Sequence, residues 1–292
     1  MSKRKIFLLA ANAVLLCVCI VQFIVKAQSH VKVFSIKGDI DCIEITKSDG
    51  SFSIVKNDDK WFAGEKQYPA NSNTVKTMLD AVSSISALDR VASTSGASGI
   101  EKYELTDAKK ITVTAKRKDK ILRTVIIGKN ASAGTQCYAV FDKSNDIYLV
   151  SGNLRSVFSK TVAEIREMAV IKENAEDVES VEAVLSSGKN VKLTRESQIE
   201  GFTQEQVVQT LENYASLSAT KWYDSKINLG GELIASVKIN LKDKAITLDV
   251  YKIPAADENS TDVYYADCSE SPYTFEFAGY AGQRFEILLK IQ

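Results

Sequence analysis

His30 is the single histidine among 292 residues. A Ser-His-Asp or Cys-His arrangement would need the chain to fold back onto it, and its place just after an apolar stretch suits a solvated interface residue better. Asp58-Asp59 and Glu176-Asp177 carry the side chains of an acid–base pair. Both lie in polar turns, where neighbouring carboxylates are ordinarily solvated. A carboxylate-based hydrolase would need two carboxylates facing each other across a cleft. Gly128-Lys129-Asn130 has the Gly-Lys of a phosphate loop without the first glycine at the required distance, so it reads as a turn after a strand. Zinc takes three or four N or S ligands, and Cys17, Cys19, Cys42, Cys137 and Cys268 show neither C-x-x-C nor metal spacing. Cys42, Cys137 and Cys268 allow at most one disulfide. Lys116-Arg117-Lys118 with Lys120 could touch an anionic lipid or polymer, but Asp119 dilutes the charge and a hairpin tip explains the run equally well. Trp61 and Trp222 suit core packing better than a ligand platform. The expectation is a non-enzymatic chain with no catalytic, cofactor-binding or metal-ligating residue and no cofactor.

Position in the cell is read from Ile6–Val25. The stretch is apolar except for Asn12 and Gln22, and Lys3, Arg4 and Lys5 precede it. About 20 apolar residues of helix span a bilayer core, whereas a secretory h-region runs to about 7–15. Length therefore favours a retained anchor over cleavage after Ala27. Leu16 and Val18 before the two early cysteines do not fit a lipobox. Basic residues ahead of the span keep the N-terminus cytoplasmic. The expected localisation is the inner membrane, single-pass, with the bulk of the chain from about Gln28 periplasmic or extracytoplasmic. Lys plus Arg equal Asp plus Glu, 37 against 37, so no global field draws nucleic acid.

Beyond the anchor the pattern alternates between periods of two and of 3.6. Ile40–Thr46 and Phe52–Val55 predict a hairpin around Asp49-Gly50, and Lys60–Phe62 a third strand. Val75, Met78, Leu79, Val82 and Ile85 fall on one helical face, with Asn71 or Asn73 as cap. Ser93–Gly99 reads as a small-residue loop. Strands follow at Ile111–Ala115, Leu122–Ile127, Gln136–Phe141 and Ile147–Val150, then helical segments near Leu154–Phe158 and Val162–Met168.

Glu173–Asp177 is a polar break, after which the order of elements recurs. Strands are predicted at Val178–Val184 and Val191–Leu193. Thr203-Gln-Glu-Gln206 predicts a capping box, and Val207, Val208, Leu211 and Tyr214 the helix face behind it. Ala235–Leu241 pairs with Ala245–Lys252, and Asp262–Ala266 with Tyr273–Phe277, ahead of a last segment near Phe285–Leu289. Thr135-Gln-Cys-Tyr138 aligns with Thr261-Asp-Val-Tyr264 without gaps. The fold class implied is α+β: an N-terminal transmembrane helix followed by two tandem, divergent repeats of antiparallel sheet with a covering helix. The boundaries are a basic tip at 1–5, the anchor at 6–25, a juxtamembrane lead at 26–39, a first unit at 40–172 and a second at 173–292.

The first unit carries a Trp ahead of a Pro-Ala step into a Val-x-x-Leu-Leu-type helix (Trp61, Pro69, Ala70, Val75, Met78, Leu79). An Ile-Ile-Gly strand end at Ile126–Gly128, the strands Tyr138-Ala-Val and Ile147-Tyr-Leu-Val, and a closing Arg166-Glu167 pair follow. In these features the chain resembles the bacterial family described as domain of unknown function 4340. It departs from the family pattern at Asn71, where Asp is usual, and at Tyr103-Glu104-Leu105, where Tyr-Gly-Leu is usual. The resemblance implies a single-span envelope protein associated with an ABC-type export system like the gliding-motility transporter, and it brings no catalytic residue with it. The expected function is a membrane-anchored, extracytoplasmic, non-enzymatic module, an accessory subunit of an ABC-type transport complex. Its expected partners are the lipid bilayer, through Ile6–Val25, and a membrane protein, with no nucleic acid. The alternative is an extracytoplasmic ligand- or polymer-binding protein using a cleft between the two units.

Overall fold

A computed structural model describes residues 12, 14–20, 31–132 and 134–291. The chain divides into two compact units, Met1–Glu167 and Met168–Gln292.

The first unit is a ten-stranded antiparallel sheet. Its strands are β1 (Lys32–Ser35), β2 (Cys42–Lys47), β3 (Gly50–Asn57), β4 (Lys60–Ala63), β5 (Tyr68–Pro69), β6 (Ser84–Ser93), β7 (Ile111–Arg117), β8 (Lys120–Asn130), β9 (Gln136–Phe141) and β10 (Asp146–Ser151). They run side by side as β1-β6-β10-β9-β8-β7-β2-β3-β4-β5. Alternation drives the pairing. Ile43 and Ile45 in β2, Ile54 in β3, Val113 in β7 and Val125 and Ile127 in β8 are buried in one core. Helix α1 (Ser72–Ser83) covers that core with Val75, Met78 and Val82. Its start is fixed by Asn71, whose side chain accepts from the Thr74 amide at 3.0 Å. The opposite face carries the short helix α2 (Ala97–Lys102), which with Tyr103, Leu105, Val140 and Ile147 closes a small second cluster. Helices α3 (Leu154–Phe158) and α4 (Val162–Ile165) end the unit.

The second unit is an eight-stranded antiparallel sheet of β11 (Ala169–Lys172), β12 (Val178–Leu185), β13 (Asn190–Thr194), β14 (Ser216–Trp222), β15 (Glu232–Leu241), β16 (Ala245–Ile253), β17 (Val263–Cys268) and β18 (Phe275–Phe277). The order is β11-β14-β18-β17-β16-β15-β12-β13. Strand for strand this repeats the first eight positions of the first sheet, with no counterpart of β4 and β5. Helices α5 (Gln204–Glu212) and α6 (Gly279–Ile287) pack their apolar residues into one core with the strands. Gly282 lies flat on the Tyr264 ring, where an added Cβ would come within 2.3 Å of it.

Two expectations are corrected. The α+β class gives way to two predominantly antiparallel sheets with few helices, the longest element among those given above being the 12-residue helix α1. The helical reading ran through Ile85, but α1 stops at Ser83, where Ser84-Ile-Ser-Ala switches to period two and opens β6. β11 and β14, also absent from the sequence reading, add two more strands where helix ends or loops were expected. The second correction concerns the membrane. Among the described residues no helix is long and apolar enough to cross one. A 12-residue helix reaches about 18 Å, against about 30 Å of hydrocarbon. The transmembrane helix and the single-pass inner-membrane localisation with a cytoplasmic N-terminus are therefore withdrawn. Most of Ile6–Val25 lies outside the described residues.

Candidate functional site

The residues with chemical potential are mostly engaged in local structure. His30 lies outside the described residues. Asp58 takes the left-handed conformation of the β3–β4 turn, with φ of 53°, and Asp59 is 3.8 Å from Lys56. Asp177 accepts from Lys242 at 2.5 Å and from Asn174 at 3.0 Å, and the Lys242 bond holds its carboxyl below the usual range. Neither carboxylate pair is set up as an acid facing a base. The basic hairpin tip is partly paired: Lys116 is bonded to Glu44, Arg117 is 3.9 Å from Asp39, and the Lys118 backbone amide donates to both Asp41 oxygens at 2.8 Å. Gly128 ends a strand against which residues 103–105 press. A Cβ there would lie 2.1 Å from the Tyr103 carbonyl oxygen, which accepts from the Lys129 amide at 3.0 Å. Cys42, Cys137 and Cys268 are free thiols, and burial pushes the last two up from their ordinary pKa. Trp61 packs on the first core and Trp222 on the second, 5.4 Å from Phe275. Among the described residues no group of three or more His, Cys, Asp or Glu could hold a metal.

Among the described residues, the first unit has two open cavities worth comparing. One of 600 Å³ has Ile100, Leu105, Ile126 and Val140 as its floor and a rim of mixed charge at Asp107, Lys110, Asp142 and Lys143. The other, of 260 Å³, runs between α1 and α3 beside Thr74, Thr77 and Lys160. Lys110 pairs with Asp107 at 2.5 Å on the rim of the first, and hydroxyls with Lys160 line the second.

The groove in the second unit is built differently. It measures 510 Å³ and lies on the sheet face opposite the core, across β13, β12, β15 and β16. Because side chains alternate along a strand, inward Val181, Ala183, Val237 and Leu248 fill the core and their neighbours form two rows across the outer face. One row runs Asn190, Val184, Ser236, Asp249 and, on β17, Asp267. The next runs Lys192, Glu182, Lys238 and Thr247. Lys192 pairs with Glu182 at 3.0 Å, and Ser236 donates to Asp249 at 2.6 Å. Val184, between Asn190 and Ser236 in the first row, is 50% exposed. Part of this outer face beside the groove is covered. The segment 223–231 is pinned over β17 and β18 by the buried Thr274 hydroxyl, 2.9 Å from the Ile227 amide, and by the buried Tyr265 hydroxyl, 3.0 Å from the Gly231 amide. The groove beside that cover is thus a bare patch of polar and charged side chains around one exposed apolar residue, Val184.

The sequence profile of the family described as domain of unknown function (DUF4340) matches residues 61–228, more than half of the chain. The chain belongs to this family. No curated protein matches it, and neither does any solved structure. In this DUF4340 chain the motif residues of the first unit are architectural. The Ala70 amide donates to the Trp61 carbonyl at 2.8 Å, the Asn71 amide to Ile165 and the Glu167 amide to Pro69, both at 2.8 Å. The Arg166 guanidinium lies 4.1 Å from the centre of the Tyr68 ring. The Tyr68–Asn71 and Arg166–Glu167 segments therefore clasp the two ends of the family motif together.

The sequence reading named none of the groove residues. One signal was available: Val184 stands at an outward position between polar Glu182 and Ser186, where alternation calls for a polar residue. The juxtaposition of Asp249 and Asp267 depends on the register of two strands joined by residues 254–262, which periodicity does not fix.

Proposed function

We propose that the chain is a non-enzymatic interaction module, an accessory subunit of an ABC-type transport assembly, and that a protein partner docks on the outer face of β12, β13, β15 and β16. The observation that carries this reading is the bounded, uncovered face itself. Its 510 Å³ groove has a half-exposed valine among its polar lining, while β17 and β18 of the same sheet are covered by segment 223–231. An exposed apolar side chain among polar groups on an uncovered sheet face suits contact with a protein partner. The edge strand β13 adds to this: Lys192 at its middle discourages edge-to-edge pairing, which leaves the face rather than the edge as the contact.

The test is co-purification of a C-terminally tagged chain and its Val184→Lys variant. Recovery of an ATPase or permease subunit in stoichiometric amount with the parent, and its loss with Val184→Lys, is the expected result. If the same subunit comes with both proteins, this face is not the docking site. If neither brings one down, the accessory-subunit reading fails.

A further inference from the structure

The cover beside the groove is held differently from the sheet beneath it. Segment 223–231 joins β14 to β15 and belongs to no strand. Side chains hold its second half from below. The Ile227 amide donates to the Thr274 hydroxyl at 2.9 Å, the Gly231 amide to the Tyr265 hydroxyl at 3.0 Å, and that hydroxyl to Asn228 Oδ1 at 3.3 Å. Two backbone bonds tie down the first half: the Tyr223 amide donates to the Thr274 carbonyl at 2.9 Å, and the Thr274 amide to Ser225 at 3.3 Å. Ile227 and Leu229 are half-buried, and neither belongs to the apolar core of the unit. Tyr265 lies outside that core too, yet it is 1% exposed. Its ring is hidden by the segment above it and by Tyr251, stacked 4.8 Å away with 8° between the planes. A Cβ at Gly231 would lie 2.7 Å from the Tyr265 ring, so the segment ends flat against it, and Gly230 before it has φ of 82°. A segment with few apolar anchors, held by a handful of bonds and ending in two glycines, is one that opens without the rest of the sheet.

We propose that segment 223–231 is a detachable strap with Gly230-Gly231 as its hinge, and that lifting it adds the stacked Tyr251–Tyr265 pair to the groove for the protein partner to cover. This rests on the docking reading above and gives that face a closed and an open form. The two surfaces are continuous. Tyr251 follows Asp249 by two positions on β16 and so shares its outward face. Asp249 lines the groove, and Tyr265 stands opposite Tyr251 in the ladder. Lifting the strap breaks the bonds of the Ile227 and Gly231 amides and the Tyr265–Asn228 bond. It leaves β14 paired with β18 and β15 paired with β16. Closed, the strap keeps an aromatic surface out of water and away from unrelated chains. Open, it offers two tyrosine rings, which give more contact area than Val184 and are the side chains that anchor protein interfaces. A partner that touches those rings binds the open form better and shifts the strap toward it.

The experiment is hydrogen exchange at single-amide resolution on the full chain, in urea concentrations below the unfolding transition. The Ile227 and Gly231 amides are expected to exchange about 100-fold or more faster than those of β16 and β17, and with little dependence on urea, as a local opening does. Asn228→Ala and Tyr265→Phe each remove bonds that hold the strap and keep the ring. Each is expected to speed exchange at Ile227 and Gly231 about fivefold or more, the worth of one hydrogen bond, while β17 exchange stays as in the parent. If Ile227 and Gly231 follow the urea dependence of β17, or if neither variant speeds them, the strap does not open by itself and the proposal is overturned. In the complex recovered by co-purification the same two amides are expected to lose protection, and both variants to bring down more of the subunit than the parent. Undiminished protection in that complex overturns the proposal, and docking at this face stands if Val184→Lys still loses the subunit. If no subunit is recovered at all, the docking reading fails and the proposal with it, even where exchange on the chain alone shows the strap opening.

Discussion

Gly128→Ala tests why a glycine ends β8. A methyl group there would lie 2.1 Å from the Tyr103 carbonyl oxygen and 3.1 Å from Leu105 Cδ2. Relief requires residues 103–105 to lift by about 1.5 Å, to an ordinary contact. That movement stretches the 3.0 Å bond from the Lys129 amide to Tyr103, a loss of about 1 kcal/mol. It also loosens Tyr103 and Leu105 from Val140 and Ile147, and forced repacking of this kind costs about 1–3 kcal/mol. A total near 3 kcal/mol corresponds to a fall of about 6–12 °C in midpoint for a unit of this size. The chain has two tryptophans, Trp61 in the first unit and Trp222 in the second. In a Trp222→Phe background, fluorescence-monitored urea and thermal unfolding therefore report the first unit alone. Gly96→Ala is the matched control, since its nearest neighbour to an added Cβ is the Ser98 hydroxyl at 4.0 Å. If Gly128→Ala unfolds within 1 °C of the control, about 0.5 kcal/mol, the close approach of the Tyr103 segment is not what requires glycine.

Glu104 has φ of 56° in the same segment, a conformation that costs a residue with a Cβ about 1–2 kcal/mol. Glu104→Gly gives up its 3.2 Å ion pair with Lys109 and is expected to raise the first unit's urea midpoint nonetheless; a lower midpoint would show that the pair outweighs the strain. Asn71→Asp keeps the helix cap but loses the Nδ2 donor that reaches both Glu167 oxygens at 3.1 and 3.3 Å. It should destabilise the same unit by about 1.5 kcal/mol in urea unfolding at neutral pH. In the second unit Lys252 lies 2.6 Å from Glu286 of α6 and 2.8 Å from Asp262, and its hydrogen bonds hold both carboxyls below their ordinary range. A depressed carboxylate adds stability above its unfolded pKa and loses it as pH falls through the folded value. Urea midpoints of the second unit, read from Trp222, should thus drop on acidification below about pH 4, and Glu286→Gln should flatten that drop.

Both units owe their legibility to different signals. The Asp49-Gly50 turn and the alternation of Ile43, Ile45 and Ile54 announce the β2–β3 hairpin, which the structure places at Cys42–Lys47 and Gly50–Asn57. The Thr203 capping box is present in both its bonds. β6 and β14 escaped because Ser84-Ile-Ser-Ala and Ser216-Leu-Ser-Ala follow helices directly and alternate with small residues of weak strand preference. Their pairing with β10 and β18 supplies what local preference lacks. The same reasoning explains why the candidate site was the least legible part. A core position declares itself through its own side chain, because burial selects for apolar character. Asp249 and Asp267 are ordinary surface aspartates taken singly, 18 positions apart in the chain. Their juxtaposition exists only in the ladder that sets them opposite each other beside Tyr251 and Tyr265.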